Sequence, residues 1–251
     1  MDPICFHIGR RPIYWYGVAM ALAFMAGIVH WTALGRREQR PAAQAADLAF
    51  WVMISGIVGA RVAYVLSDLD YFRAAPWLVF RVDQGGLIYY GGFLGAVLVL
   101  ALFAQAHHER LAAFADFAIT ALPLGHALGR IGCFLNGCCY GRPTPAGWRF
   151  WAGGLDRVPV QLYEAVFNLA VYAFLTWFYV NRRRGRQGMV LALYLLTYPV
   201  GRFLLEFLRG DERLQWGPFT AAQVISLSLL AIGFAVLLAV RRTHDQTHRT
   251  A

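Results

Sequence analysis

Apolar residues gather into seven runs along the chain, at about 13–34, 46–67, 87–105, 111–130, 160–180, 188–208 and 220–240. Each is close to the ~20 residues that a helix needs to cross a ~30 Å hydrocarbon core. The pattern predicts an all-α, polytopic membrane protein with about seven transmembrane helices. The first run, from Ile13, is long and lacks a small-residue cleavage site, so it predicts a span rather than a cleavable signal. No internal repeat or low-complexity segment interrupts the series, and residues 1–251 are expected to form a single integral membrane domain.

The polar segments between the runs alternate in charge. Arg36, Arg37 and Arg40 follow the first run, Arg110 the third, Arg182, Arg183, Arg184 and Arg186 the fifth, and Arg241, Arg242 and Arg249 the seventh. By the positive-inside rule these segments are cytoplasmic. The N-terminus and the segments 68–86, 131–159 and 210–219 then face outward, with Asp68, Asp70, Asp83, Asp156 and Asp211 among their residues. Arg10 and Arg11 lie outside against the trend. An odd number of spans places the C-terminus in the cytoplasm.

Composition supports a membrane protein: 59% of residues are hydrophobic and only 15% charged, against roughly 25% charged in soluble domains. The net charge of +9 would suggest nucleic-acid binding in a soluble protein. Here the arginines sit mostly between spans, so topology accounts for them and no nucleic-acid partner is expected.

Some charges fall within or at the ends of the runs: Arg61, Arg130, Arg202, Glu164 and Glu206. A charge near the bilayer centre costs ~3 kcal/mol or more, so such residues pair or line a watery cavity. Arg202 and Glu206 are spaced i, i+4 and share one helix face, which suits an ion pair. Glycines surround the arginines: Gly125, Gly129, Gly132, Gly137 and Gly141 near Arg130, and Gly201 beside Arg202. Arginine's planar fork matches a phosphate bidentately. Several arginines at one membrane level, without matching acids, point to an anionic headgroup. The glycine pairs of GGLIYYGGFLG (85–95) also suit plain helix packing.

Four cysteines occur: Cys5, Cys133, Cys138 and Cys139. They do not form the spaced pairs of a zinc site, so neither a metal nor a cofactor is expected. A disulfide is chemically allowed on an oxidising side, and small thiols also suit tight glycine-rich packing. The second is the expected role.

These blocks resemble those of the bacterial prolipoprotein diacylglyceryl transferases over nearly the whole chain. GRIGCFLNGCCYGRPT (129–144) is similar to the family's central signature. IYWYG (13–17), GAR (59–61), YGGFLGA (90–96), PVQLYEA (159–165), GRFLLEFLRGDE (201–212) and TAAQVISL (220–227) resemble its other motifs, in order. The resemblance implies transfer of diacylglyceryl from phosphatidylglycerol to the lipobox cysteine of a preprolipoprotein signal peptide. The product is a thioether, and glycerol 1-phosphate is released. It implies a bacterial cytoplasmic (inner) membrane protein whose partners are these two substrates and membrane lipids. Arg130 and Arg202 map onto the family's essential arginines. Tyr16, Glu206 and Arg209 map onto further motif residues. Arg61, Asn136, Gly141, Gln161, Tyr163 and Glu164 are the other expected substrate-binding residues.

The chain departs from the family pattern where Tyr90 replaces a histidine, Cys133 an asparagine, Cys138 an acid and Val158 a histidine. Tyr90 is the catalytic candidate at its position, although tyrosine's ordinary pKa near ~10 makes it a weak base. Glu164, Glu206 and His126 are alternatives, or the arginine field alone activates the acceptor thiol. Two other functions remain open: a paralogous glycerolipid transferase with another acceptor, and a lipid transporter. The absence of a repeated half argues against the transporter.

Overall fold

The computed structural model describes residues 3–82, 85–149, 156–183 and 186–249. Asp83 and Arg184, counted above in the topology, lie outside them. The chain forms two compact units, residues 1–27 with 115–251 and residues 28–114, whose boundaries fall inside helices.

In order, the elements are β1 (Ile4–Ile8), β2 (Arg11–Tyr14), α1 (Trp15–Arg37), α2 (Ala42–Ser67), α3 (Leu69–Ala74), a 3-10 turn (Pro76–Phe80), α4 (Tyr89–Ala106), α5 (Leu111–Ile119) and α6 (Leu122–Leu135). They continue with β3 (Pro143–Arg149), β4 (Asp156–Arg157), α7 (Val160–Asn181), α8 (Met189–Glu206), β5 (Gln215–Trp216), β6 (Phe219–Thr220) and α9 (Ala221–Arg249). The protein is helical and polytopic, as its hydropathy predicts. Among the described residues, six helical segments are long and apolar enough to cross a membrane: 15–37, 42–67, 89–106, 111–135, 189–206 and 221–243.

The seventh expected span is helix α7, which is long but less apolar. Gln161, Glu164 and Asn168 lie on its buried face with Val160, Ala165, Val171 and Leu175. That face meets protein rather than lipid. The three antiparallel hairpins, β1–β2, β3–β4 and β5–β6, were not expected. The first of them takes up Ile13 and Tyr14, so the first span starts at Trp15.

In the larger unit α6 packs on α7, α7 on α8 and α8 on α9. Asp116, fully buried, accepts hydrogen bonds from the backbone N–H of Gly188 (2.8 Å) and of Leu191 (2.9 Å). It satisfies orphan donors at the start of α8 that no neighbouring side chain caps.

In the smaller unit α2 packs along α4. The contact is built on glycine: a Cβ at Gly59 would collide with the Gly91 carbonyl, and one at Gly95 with the Ser55 carbonyl. The glycines of the 85–95 stretch therefore let two backbones approach, the packing role that small residues have between membrane helices. Just past α4, Glu109 forms an ion pair with Arg40, which precedes α2, and accepts a hydrogen bond from Gln44 at the start of α2.

Candidate functional site

The larger unit gathers arginines and acids from α6, α7, α8 and the segment after α8. Arg130, on the last part of α6, places Nε 3.0 Å from Oε1 of Glu164 on α7. Arg202 Nε, on α8, lies 3.9 Å from the same oxygen. Its Nη1 is 2.7 Å from Glu206 Oε2 one turn further on, an ion pair whose N–H is not aligned on that oxygen. Glu206 Oε1 accepts a hydrogen bond from Thr220 (2.9 Å) and lies 3.9 Å from Arg213 Nε. Arg209 grips Asp211 with two hydrogen bonds of 2.9 and 2.8 Å, and Arg213 reaches the same carboxylate at 3.0 Å.

The result is a continuous chain of alternating charge. The i, i+4 pair is present as its spacing predicts. The expectation that the arginines stand without acids is corrected: Glu164, only 2% exposed at its side chain, stands between Arg130 and Arg202. Burying these charges requires such pairing. The pairing is incomplete, because Glu164 Oε2 and Arg202 Nη1 make no hydrogen bond although both are buried.

The glycine-rich turn after α6 anchors this chain. Arg142 N–H donates to the Leu208 carbonyl (2.9 Å) and Gly210 N–H to the Tyr140 carbonyl (3.1 Å). Gly141 N–H donates to the Val158 carbonyl (3.1 Å). A Cβ at Gly141 would meet the carbonyl oxygens of both Val158 and Leu208. Residue 141 must therefore be glycine for the signature to hold the Arg209 segment in place. Gln161 adds a side-chain hydrogen bond to the Cys138 carbonyl (2.7 Å).

Two cavities open here. One, of about 540 Å³, is lined by Pro12, Ile13, Tyr14, Tyr16, Gly17 and Asn136, so two of the expected binding residues, Tyr16 and Asn136, share it. The other, of about 710 Å³, is lined among others by Arg142, Glu206, Arg209, Arg213 and Thr220. Three thiols stand near both sets of residues. The Sγ atoms of Cys133, Cys138 and Cys139 all lie within 4.8 Å of one another. Hydrogen bonds from Cys133 and Cys138 hold the Cys139 thiol well below the usual thiol range, and Arg209 acts in the same direction.

The other expected residues are placed differently. Tyr163 is exposed on α7. In the smaller unit, Tyr90 is exposed in the first turn of α4, edge-on to Tyr89. Arg61 is buried there, and its guanidinium donates to the carbonyls of Leu78, Val79 (2.8 Å), Gly85 (2.9 Å) and Gly86 (3.1 Å). It stitches the segment between α3 and α4, and this geometry leaves it little capacity for a ligand. Arg213, Asp211 and Thr220 were not among the expected site residues. The run GDERL (210–214) held the only local signal for the first two.

The fold is that of a polytopic membrane protein with buried arginines incompletely satisfied near the ends of its helices, and its relatives narrow the class. The profile of the prolipoprotein diacylglyceryl transferases matches residues 3–239. The phosphatidylglycerol–prolipoprotein diacylglyceryl transferase of Geobacter sulfurreducens is 35% identical over 251 residues, covering 96% of each chain. That of Coxiella burnetii (strain Dugway) is 34% identical over 252 residues, again 96% of each. That of Fervidobacterium nodosum is 34% identical over 92% of this chain and 82% of its own. The chain belongs to the prolipoprotein diacylglyceryl transferase family.

Proposed function

We propose that this protein transfers the diacylglyceryl group of phosphatidylglycerol to the lipobox cysteine of a preprolipoprotein, as a single integral membrane domain of the bacterial cytoplasmic membrane. The observation that carries this reading is Arg130 and Arg202 converging on one carboxylate, Glu164. Two guanidiniums held by a shared buried acid keep their remaining N–H groups in fixed directions. Fixed donors are what a developing phosphate charge requires.

The acceptor sulfur attacks the glycerol carbon that bears the phosphate ester. The C–S bond forms as the C–O bond breaks, and the electron pair leaves on the phosphate oxygen. Arg130 and Arg202 neutralise that growing charge. Glu164 and Glu206 orient the two guanidiniums. Arg209, fixed by Asp211, and Arg142 line the larger cavity and receive the glycerol phosphate. Tyr16 and Asn136 line the smaller cavity and position the reacting ends, with Gln161 and Gly141 holding the turn. Tyr163, exposed on α7, faces the lipid phase. The N-terminus lies outside and the C-terminus in the cytoplasm, with the arginines toward the outer end of the spans.

The experiment uses purified full-length protein, a peptide carrying a lipobox cysteine, and vesicles of either phosphatidylglycerol or phosphatidylcholine. A peptide mass increased by one diacylglyceryl group, with phosphatidylglycerol only, is expected. Transfer to no thiol from either lipid would overturn the reading.

A further inference from the structure

The three clustered thiols are not needed by the displacement described above, and their arrangement is built. Cys133 lies on the buried side of the last turn of α6. The chain then turns so that Cys138 N–H donates to the Cys133 carbonyl (3.1 Å). The turn uses left-handed backbone at Gly137 (φ 72°) and again at Cys139 (φ 62°). A non-glycine residue there is strained and is held by its surroundings. What this conformation achieves is to bring both loop thiols onto Cys133. Gln161 fixes the Cys138 carbonyl (2.7 Å). Asn136 neighbours the Cys138 side chain, and Arg209 neighbours that of Cys139.

The Sγ atoms lie within 4.8 Å of each other. A tetrahedral zinc with Zn–S bonds of ~2.3 Å sets its sulfurs ~3.8 Å apart, so closure requires movements of about 1 Å. Three thiolates on Zn²⁺ leave one negative charge, and Arg209 and Arg130 are the cations in reach. Three protein ligands leave a fourth position open, the pattern of reactive rather than purely structural zinc. Asn136, beside Cys138, also lines the smaller cavity with Tyr16. The open position therefore adjoins the place where an acceptor would enter.

We propose that Cys133, Cys138 and Cys139 bind one zinc ion whose fourth ligand is the thiolate of the acceptor cysteine. The inference rests on the transferase reading and deepens it. A thiol that coordinates a metal loses its proton. That proton and those of the three ligand thiols pass to solvent. The bound sulfur then forms the C–S bond, the C–O bond breaks, and its electron pair leaves on the phosphate oxygen. The product is a thioether, a weaker zinc ligand than the thiolate, so it departs and the next acceptor replaces it. This supplies the thiol activation that a tyrosine at position 90 provides poorly.

The test uses full-length protein purified anaerobically in detergent. Elemental analysis should find about one zinc per chain. Cys138→Ser and Cys139→Ser, at part-exposed positions, should hold zinc at least ~10-fold more weakly while melting normally, and Cys5→Ser should retain it. With cobalt(II) as a spectroscopic probe, thiolate charge-transfer bands should appear and intensify on adding the lipobox cysteine peptide, but not its serine analogue. A chain without zinc that still transfers lipid, one holding a disulfide or copper(I) instead, or a cobalt spectrum indifferent to the cysteine peptide would overturn the inference and leave the transferase reading standing. A cobalt spectrum that responds to the peptide in a protein that transfers no lipid would overturn the transferase reading instead.

Discussion

Arg202→Lys separates charge from geometry at the site. Arg202 addresses two carboxylates from two edges of its guanidinium, Nη1 at 2.7 Å from Glu206 and Nε at 3.9 Å from Glu164. Lysine keeps the positive charge but concentrates it on one nitrogen. That nitrogen reaches Glu206 or turns toward Glu164, and it has no fork left for a phosphate. The charge remains near both acids, so the full penalty for an unpaired buried charge does not arise. The loss falls on the transition state, where one charge-assisted hydrogen bond is worth about 1.5–3 kcal/mol. At ~1.4 kcal/mol per decade, turnover should fall ~10- to 100-fold. The assay is the initial rate of peptide lipidation at saturating phosphatidylglycerol, with melting temperature and gel-filtration profile as controls for folding. Arg130→Lys should behave alike. Both lysine variants turning over within ~3-fold of the parent, where the same scale predicts at least ~10-fold, would remove the phosphate-clamp assignment.

Glu164→Gln keeps the volume but removes the shared anion between Arg130 and Arg202. It should cost about 3 kcal/mol of stability, the low end for breaking a buried pair because the Arg130 side chain retains some solvent access, and thermal unfolding in detergent reads it. Gly141→Ala drives a Cβ into the Val158 and Leu208 carbonyls, so it should destabilise by at least about 2 kcal/mol and abolish lipidation; a fully active, normally melting variant would show that the turn does not hold the Arg209 segment. For topology, reporter fusions at Arg186 and after Arg242 should be cytoplasmic and one at Pro145 outward; an inward Pro145 would overturn the placement of the site.

The helices were legible because hydropathy over ~20 residues is a strong signal that tertiary context seldom reverses. The exception is instructive. Helix α7 carries Gln161, Glu164 and Asn168 on the face it buries against protein, so its length was predictable but its lower apolarity had a tertiary reason. The short hairpins escaped because two- to seven-residue strands beside membrane helices carry little periodicity. At the site, the Arg202–Glu206 pair was readable from i, i+4 spacing. Glu164 between Arg130 and Arg202 was not, since it joins residues 34 and 38 positions apart on three helices. The thiol cluster was hidden for another reason. Rules of ligand spacing presume ordinary turns, and this one depends on left-handed backbone at Gly137 and Cys139. Arg61 looked like the other intramembrane arginines and differs only in its partners, four backbone carbonyls that no sequence pattern reveals.

The central claim is that a thiolate displaces a phosphate at carbon, with the two clamp arginines receiving the leaving charge. The direct measurement is transfer from phosphatidylglycerol to a lipobox cysteine peptide in ¹⁸O-water, following peptide mass and released glycerol phosphate together. Thioether and glycerol phosphate should appear in equal amounts, with no ¹⁸O in the phosphate. Glycerol phosphate released without thioether, or carrying ¹⁸O, would contradict it.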